Sequence, residues 1–223
     1  MSQAGPIELE FSRKYDRKHA QQYFDKHRAG PMRRLSDWRE QRIARAALAM
    51  AGDPASVLDL PCGAGRFWPM LAERSERRIL AADNSADMIA VAQATQAPEI
   101  VAGVEAFQTS AFAIDLGDGA VDCVFSMRLL HHIAEPAHRL AMLREFHRVS
   151  CESVVLSLWV DGNFKAWRRA RLEARRQVNN NRFVVPRRVI EAEFAEAGFD
   201  IVGHRDFLPG YAMWRVYTLR KRG

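Results

Sequence analysis

Apolar and polar positions along this chain alternate in blocks that predict strands and helices in turn. Short apolar runs at 56–60, 78–83, 104–110, 121–127 and 153–160 have strand length and are bounded by turn residues. The run 153–160 is almost unbroken, as expected of a strand buried on both faces. Between the runs, apolar residues recur at helical spacing. Met88, Ile89 and Ala92 mark a helix capped by Asn84 or Ser85 and ending near Thr95. Leu140, Leu143, Phe146 and Val149 mark another, which Pro136 starts. A helix over about 66–74 follows the first strand, with Pro69 in its first turn. Upstream, Ile43, Ala47, Leu48 and Ala51 predict a helix over 37–51, with Asp37 and Glu40 as a capping box and Gly52 as the stop. Beyond 160 come a basic helix and a polar loop (161–185), then a helix opened by Pro186 and closed by Gly198. The chain ends in a hairpin of 199–208 and 212–221 around Pro209-Gly210. The alternation predicts an α/β sheet of the doubly wound kind.

The chemistry concentrates where the first strand ends, in Ser56-Val57-Leu58-Asp59-Leu60-Pro61-Cys62-Gly63-Ala64-Gly65-Arg66. Gly63 and Gly65 allow a tight turn and let the backbone approach a ligand. A dinucleotide loop would carry a third glycine where Trp68 stands, and Asp59 would repel a pyrophosphate. An acid at that place suits a ligand with an ammonium group and no phosphate, such as S-adenosylmethionine. Asp83 ends the second strand, 20 residues after Gly63, where an acid accepts hydrogen bonds from ribose hydroxyls. Such a charged bond contributes about 1.5–3 kcal/mol.

With these residues the sequence resembles the class I S-adenosylmethionine-dependent methyltransferases. The resemblance rests on the glycine motif 58–66, on Asp83-Asn84-Ser85-Ala86-Asp87-Met88, on 116–126 and on Leu130-His131-His132-Ile133, and covers about 37–221. It implies a Rossmann-like, doubly wound seven-stranded sheet, mostly parallel with a C-terminal antiparallel hairpin strand. It implies S-adenosyl-L-methionine as cofactor and S-adenosyl-L-homocysteine as product, held by Asp59, Pro61, Cys62, Gly63, Gly65, Asp83 and Asn84. Met88 would cover one adenine face, and Ser110, Ala111 and Phe112 would line the adenine edge. Ser126 and Met127 would face the methionine moiety and the methyl acceptor. Two departures are Pro61, where glycine is usual, and Ser110, where an acid often contacts the adenine amine. In this family, segments before the first strand form a lid over the substrate.

Arg128, His131 and His132 follow the fourth strand, at the sheet edge where ligands of open α/β sheets collect. His132 is the candidate general base for a hydroxyl acceptor, and Arg128 a positioning group; the competing reading has the histidines packing against the next helix. The composition changes the picture in one respect. The 223 residues carry a formal charge of +6, and Lys165, Arg168, Arg169 and Arg171 crowd the insert. Arg168 and Arg169, with Tyr15 and Tyr23 of the arm, are candidate substrate contacts for an anionic acceptor. The expected function is methyl transfer to a small or lipid- or sugar-linked anionic molecule. RNA methylation and a non-catalytic cofactor-binding partner are the alternatives. The expected organisation is a basic N-terminal arm or lid (1–36) and a methyltransferase domain (37–223) with a basic insert at about 161–185. The three cysteines have no metal-type spacing, no signal peptide or apolar span is visible, and a cytoplasmic protein without metal is expected.

Overall fold

The computed structural model describes residues 30–173 and 181–223, so Tyr15 and Tyr23 lie outside the described residues. Seven strands form one sheet in the order β3-β2-β1-β4-β5-β7-β6. They are β1 (Ser56–Asp59), β2 (Arg78–Asp83), β3 (Val104–Gln108), β4 (Val121–Ser126), β5 (Ser150–Trp159), β6 (Phe199–Asp206) and β7 (Trp214–Lys221). The first five are parallel; β7 runs antiparallel to β5, and β6 antiparallel to β7. The fold is the seven-stranded, Rossmann-like sheet expected. The strand order reverses between β1 and β4, which opens the ligand crevice at their carboxyl ends.

Seven helices among the described residues complete the chain: α1 (Pro31–Met50), α2 (Trp68–Leu71), α3 (Ala86–Thr95), α4 (Pro98–Ala102), α5 (Pro136–Val149), α6 (Phe164–Glu173) and α7 (Arg187–Glu196). Period-2 alternation sends the strand side chains to two faces. Val57, Cys123, Phe125 and Val155 pack under Ile43, Ala47 and Leu48 of α1. Leu58, Val124, Val154 and Leu156 pack against Met142, Leu143 and Phe146 of α5 and Ile190 and Phe194 of α7.

Three elements differ from expectation. Helix α1 begins at Pro31, not at 37, because Gly30 turns the chain with φ 91° and Pro31 supplies the preset φ of a first helical residue. Asp37 and Glu40 therefore lie inside the helix and cannot form its capping box. Helix α2 is a single turn, not a run over 66–74, and α4 occupies a stretch without an expected element. Ser85, rather than Asn84, caps α3, accepting from the Met88 N–H at 3.3 Å. No helix among the described residues is long and apolar enough to cross a membrane.

Candidate functional site

The loop after β1 is pinned from both sides. Leu60 N donates to Phe125 O of β4 at 3.0 Å, and Cys62 N to Ala82 O of β2 at 2.8 Å. Between these pins the chain turns through Gly63 and Gly65, at φ 54° and 69°. At Gly65 glycine is obligatory twice over. A Cβ there would fall 2.9 Å from the Trp68 ring and 3.1 Å from Gln96, in a backbone conformation that side chains disfavour. The indole of Trp68 thus fills the space beneath the turn, and Trp68 is fully buried. The loop is tight around an aromatic plug instead of a third glycine.

Asp83 holds this loop to the next one. Its Oδ2 accepts Gly63 N at 3.0 Å and its Oδ1 accepts Ser85 N at 2.9 Å. Burial raises its pKa, and the backbone donors oppose the rise. Asp59, one strand over, is 1% exposed, and its carboxylate oxygens meet no donor at close hydrogen-bond geometry; the buried Trp68 indole N–H acts on them only from outside that range. Burial first, and the nearby Asp83 charge second, push its pKa well above the ordinary carboxylate range, and the Trp68 indole N–H opposes the rise. A buried carboxylate left without a donor is costly, and a cationic or donor-bearing ligand relieves it. The chemistry of this donor set fits the ammonium, ribose and glycine-loop contacts of S-adenosylmethionine.

Of the other expected cofactor residues, Met88, Pro61 and Cys62 lie at the same loop. Met88 of α3 reaches over Gly63, its Cε 3.5 Å from where a Cβ would stand. The Leu60–Pro61 peptide is cis, and Cys62 is buried against Trp68 and Ile89. Strand β3 stops at Gln108, so Ser110, Ala111 and Phe112 lie in the turn beyond it rather than in the strand. There Ser110 Oγ accepts Phe112 N at 3.2 Å, while the Asn84 carbonyl accepts from Gln108. Ser126 and Met127 are buried at the end of β4.

Beyond β4, Arg128 takes the left-handed conformation, φ 66°, with its N–H donating to Ser157 Oγ of β5 at 2.8 Å. Its guanidinium grips Glu40 in bidentate fashion, Nε to Oε1 at 2.8 Å and Nη2 to Oε2 at 2.6 Å. Arg66, from the glycine loop, reaches the same Oε2 at 2.6 Å and Asp37 at 2.6 Å. Glu40, 1% exposed, thus ties α1 to both walls of the crevice. Burial alone would raise its pKa, but the Arg128 and Arg66 charges hold it below the ordinary value. Sequence reasoning placed Glu40 in a helix cap; its partners, 26 and 88 residues away, left no local signal.

A 3-10 turn, Leu130–His132, carries the two histidines. His131 stacks on Trp159 with ring centroids 5.1 Å apart and meets Trp214 edge-on. Burial, and then the charges of His132, Arg182, Arg128 and Arg169, push its pKa down to about 2. His131 is therefore neutral across the physiological range. His132 Nδ1 lies 2.6 Å from Asn181 O, a carbonyl that can only accept, so Nδ1 carries the proton and the basic lone pair sits on Nε2. Burial lowers its pKa, the Asn181 carbonyl opposes this, and Arg182 adds to it. Of the two insert arginines, Arg169 lies over Trp159 at 5.1 Å and pairs with Glu173, whereas Arg168 stays on the exposed side of α6.

Residues 57–152 match the methyltransferase domain family. Among curated proteins, the tRNA U34 carboxymethyltransferase of Shewanella piezotolerans is 32% identical over 135 residues, 57% of this chain and 38% of that protein. An uncharacterised 37.1 kDa protein in transposon TN4556 of Streptomyces fradiae is 36% identical over 95 residues, 42% of this chain and 27% of that one. The chain thus spans well under half the length of the curated relatives it matches. Among solved structures, magnesium protoporphyrin IX methyltransferase of Synechocystis, crystallised with S-adenosylhomocysteine, superposes with TM-score 0.73 at 15% identity, covering 92% of this chain and 94% of that one. A Haloferax volcanii methyltransferase, solved with its Trm112 activator, gives 0.66 at 14% identity, covering 98% and 100%. Residues 57–152 thus carry a methyltransferase domain, set in the strand order of a Rossmann-like methyltransferase fold and built around this glycine loop.

Proposed function

We propose that the protein moves a methyl group from S-adenosylmethionine to a small anionic acceptor in the crevice between β1 and β4. The observation that carries this reading is Asp59: a buried carboxylate with no donor at close hydrogen-bond geometry, beneath a glycine loop that Asp83 braces. Asp59 would take the ammonium end of the cofactor, Asp83 the ribose hydroxyls, and the turn 110–112 the adenine edge. When bound, S-adenosylmethionine supplies a methyl group activated by its sulfonium. His132 would remove the proton of a hydroxyl acceptor through Nε2, since His131 is too weak a base. Arg182, together with Arg128 and Arg169, which are paired with Glu40 and Glu173, makes this end of the crevice basic, which suits an anionic acceptor.

Calorimetry tests the cofactor half. Asp83→Ala loses charged hydrogen bonds and weakens S-adenosylhomocysteine binding by about 10–100-fold. Asp59→Asn weakens it at least about tenfold and makes the ligand-free protein more heat-stable at pH 7. The sign follows from the raised folded-state pKa. Above the unfolded value of about 3.9, the charged Asp59 costs the fold stability, and a neutral amide does not. Unchanged affinity in both variants sinks the reading.

An RNA acceptor stands second, favoured by the tRNA-modifying relatives and the net charge of +6. Turnover of a small anionic acceptor changes only modestly with salt. A log–log slope of affinity against salt steeper than about −3 requires several phosphate contacts and transfers the assignment to RNA.

A further inference from the structure

Exposed apolar side chains lie on three elements that meet at the turn between β6 and β7. That turn contributes Leu208 and Tyr211; the first half of α1 contributes Met32, Leu35 and Trp38, and α6 contributes Phe164 and Trp167. Each is 46–75% exposed. Backbone and side-chain bonds join the three elements there. Arg39 Nε of α1 donates to Phe207 O at 3.1 Å, while Phe164 N and Lys165 N of α6 donate to Gly210 O and Tyr211 O at 2.9 and 3.0 Å. Seven large apolar side chains exposed on three adjoining elements, with Phe164 packed on both Trp167 and Tyr211, are more than the scattered leucines of an ordinary exterior.

Cations interleave with it. Arg42 lies over Trp38 at 4.9 Å, Lys165 over Tyr211 at 5.1 Å and Arg171 over Trp167 at 4.9 Å. Among the described residues Lys165, Arg168 and Arg171 form no ion pair with a carboxylate. We infer that this face docks the protein peripherally on an anionic lipid bilayer, with the apolar side chains entering the headgroup boundary and the cations meeting lipid phosphates.

The composition of the patch decides for lipid over a nucleic-acid strand. Base stacking needs open ring faces, but one face each of Trp38, Trp167 and Tyr211 carries a cation, and Phe164 stacks on Tyr211 at 5.7 Å. Met32, Leu35 and Leu208 have no π-face to offer a base. Aromatic and aliphatic side chains beside Lys and Arg are what an interfacial segment presents to a membrane. A shallow, open pocket of about 710 Å³ lies beside the patch, its lining mixed: Phe164, Ala166, Trp167 and Val184 together with Asp161, Arg169 and Glu173. The inference is independent of the methyl-transfer reading, since docking involves no chemistry at the crevice.

Vesicle flotation with the full chain tests it. Vesicles of phosphatidylcholine alone are compared with vesicles containing about 30% phosphatidylglycerol, and the anionic vesicles are expected to bind at least about tenfold more tightly. The double variant Trp167→Ser, Leu208→Ser, which draws on two elements, loses at least about tenfold of that binding. Lys165→Ala with Arg171→Ala loses a similar factor and most of the preference for anionic lipid. Melting temperature and S-adenosylhomocysteine affinity stay at wild-type values in both variants, which separates docking from folding and from the cofactor site. Equal flotation with and without phosphatidylglycerol overturns the inference, as does full binding by the Trp167, Leu208 variant. So does a dimer, or binding of an oligouridine, that the same substitutions abolish: the face would then belong to a second copy or to RNA.

Discussion

Replacing His132 by alanine lowers the rate of methyl transfer by about 10²–10⁴-fold, the usual contribution of a positioned general base, and leaves S-adenosylhomocysteine affinity nearly unchanged. The tautomer sets this expectation. Nδ1 is committed to the Asn181 carbonyl, so proton abstraction falls to Nε2. Because burial lowers the His132 pKa below 6.5, the ring is neutral and competent at pH 7. Wild-type activity therefore declines as pH falls through that lowered pKa, and the acid limb disappears in His132→Ala. His131→Phe serves as the control, since a phenyl ring keeps the stack on Trp159 and Trp214 and the acid limb survives. Measured as kcat/KM against pH, a fully active His132→Ala enzyme sinks the assignment. In that event an acceptor that is already nucleophilic, such as a thiolate, would replace the hydroxyl.

The sheet was legible in the sequence because its signals are local. Strand β2 runs over the expected 78–83, and Ser85 and Pro136 open α3 and α5 where cap and proline chemistry place them. The glycine loop was legible for the same reason: strand end, acid and glycines sit within a dozen residues. Two features were hidden. Trp68 read as a departure from a glycine pattern, and only the packed structure reveals it as the plug under Gly65. The stack of His131, Trp159 and Trp214 joins the turn after β4 to the ends of β5 and β7, and no spacing rule connects residues so far apart in the chain. Periodicity reports which face of an element is apolar; it does not report which polar group from another element meets it.

Glu40 illustrates that limit and has the largest expected effect on stability. Glu40→Gln leaves Arg66 and Arg128, both partly buried, facing each other without the carboxylate that separates their charges. Removing one partner of a buried ion network costs about 3–5 kcal/mol. Both guanidiniums keep some contact with water, so a value near the lower end, about 3 kcal/mol, is expected from urea unfolding at neutral pH. The pH dependence separates the charge from the shape. Glu40's pKa is lowered in the fold, so its stabilisation is present above the unfolded value of about 4.3 and is lost as pH falls through the folded value. The gap between wild type and Glu40→Gln accordingly narrows under acid. Cofactor affinity should fall alongside stability, because Arg66 belongs to the glycine loop and Arg128 to the turn after β4. Converting all three residues to methionine distinguishes the two roles. Well-packed apolar side chains can restore stability in place of a buried ion network, but without the shared carboxylate nothing fixes the two loops relative to each other. Restored stability with still-weak S-adenosylhomocysteine binding makes Glu40 a positioning residue for the crevice; restored binding would reduce it to a fastener for α1.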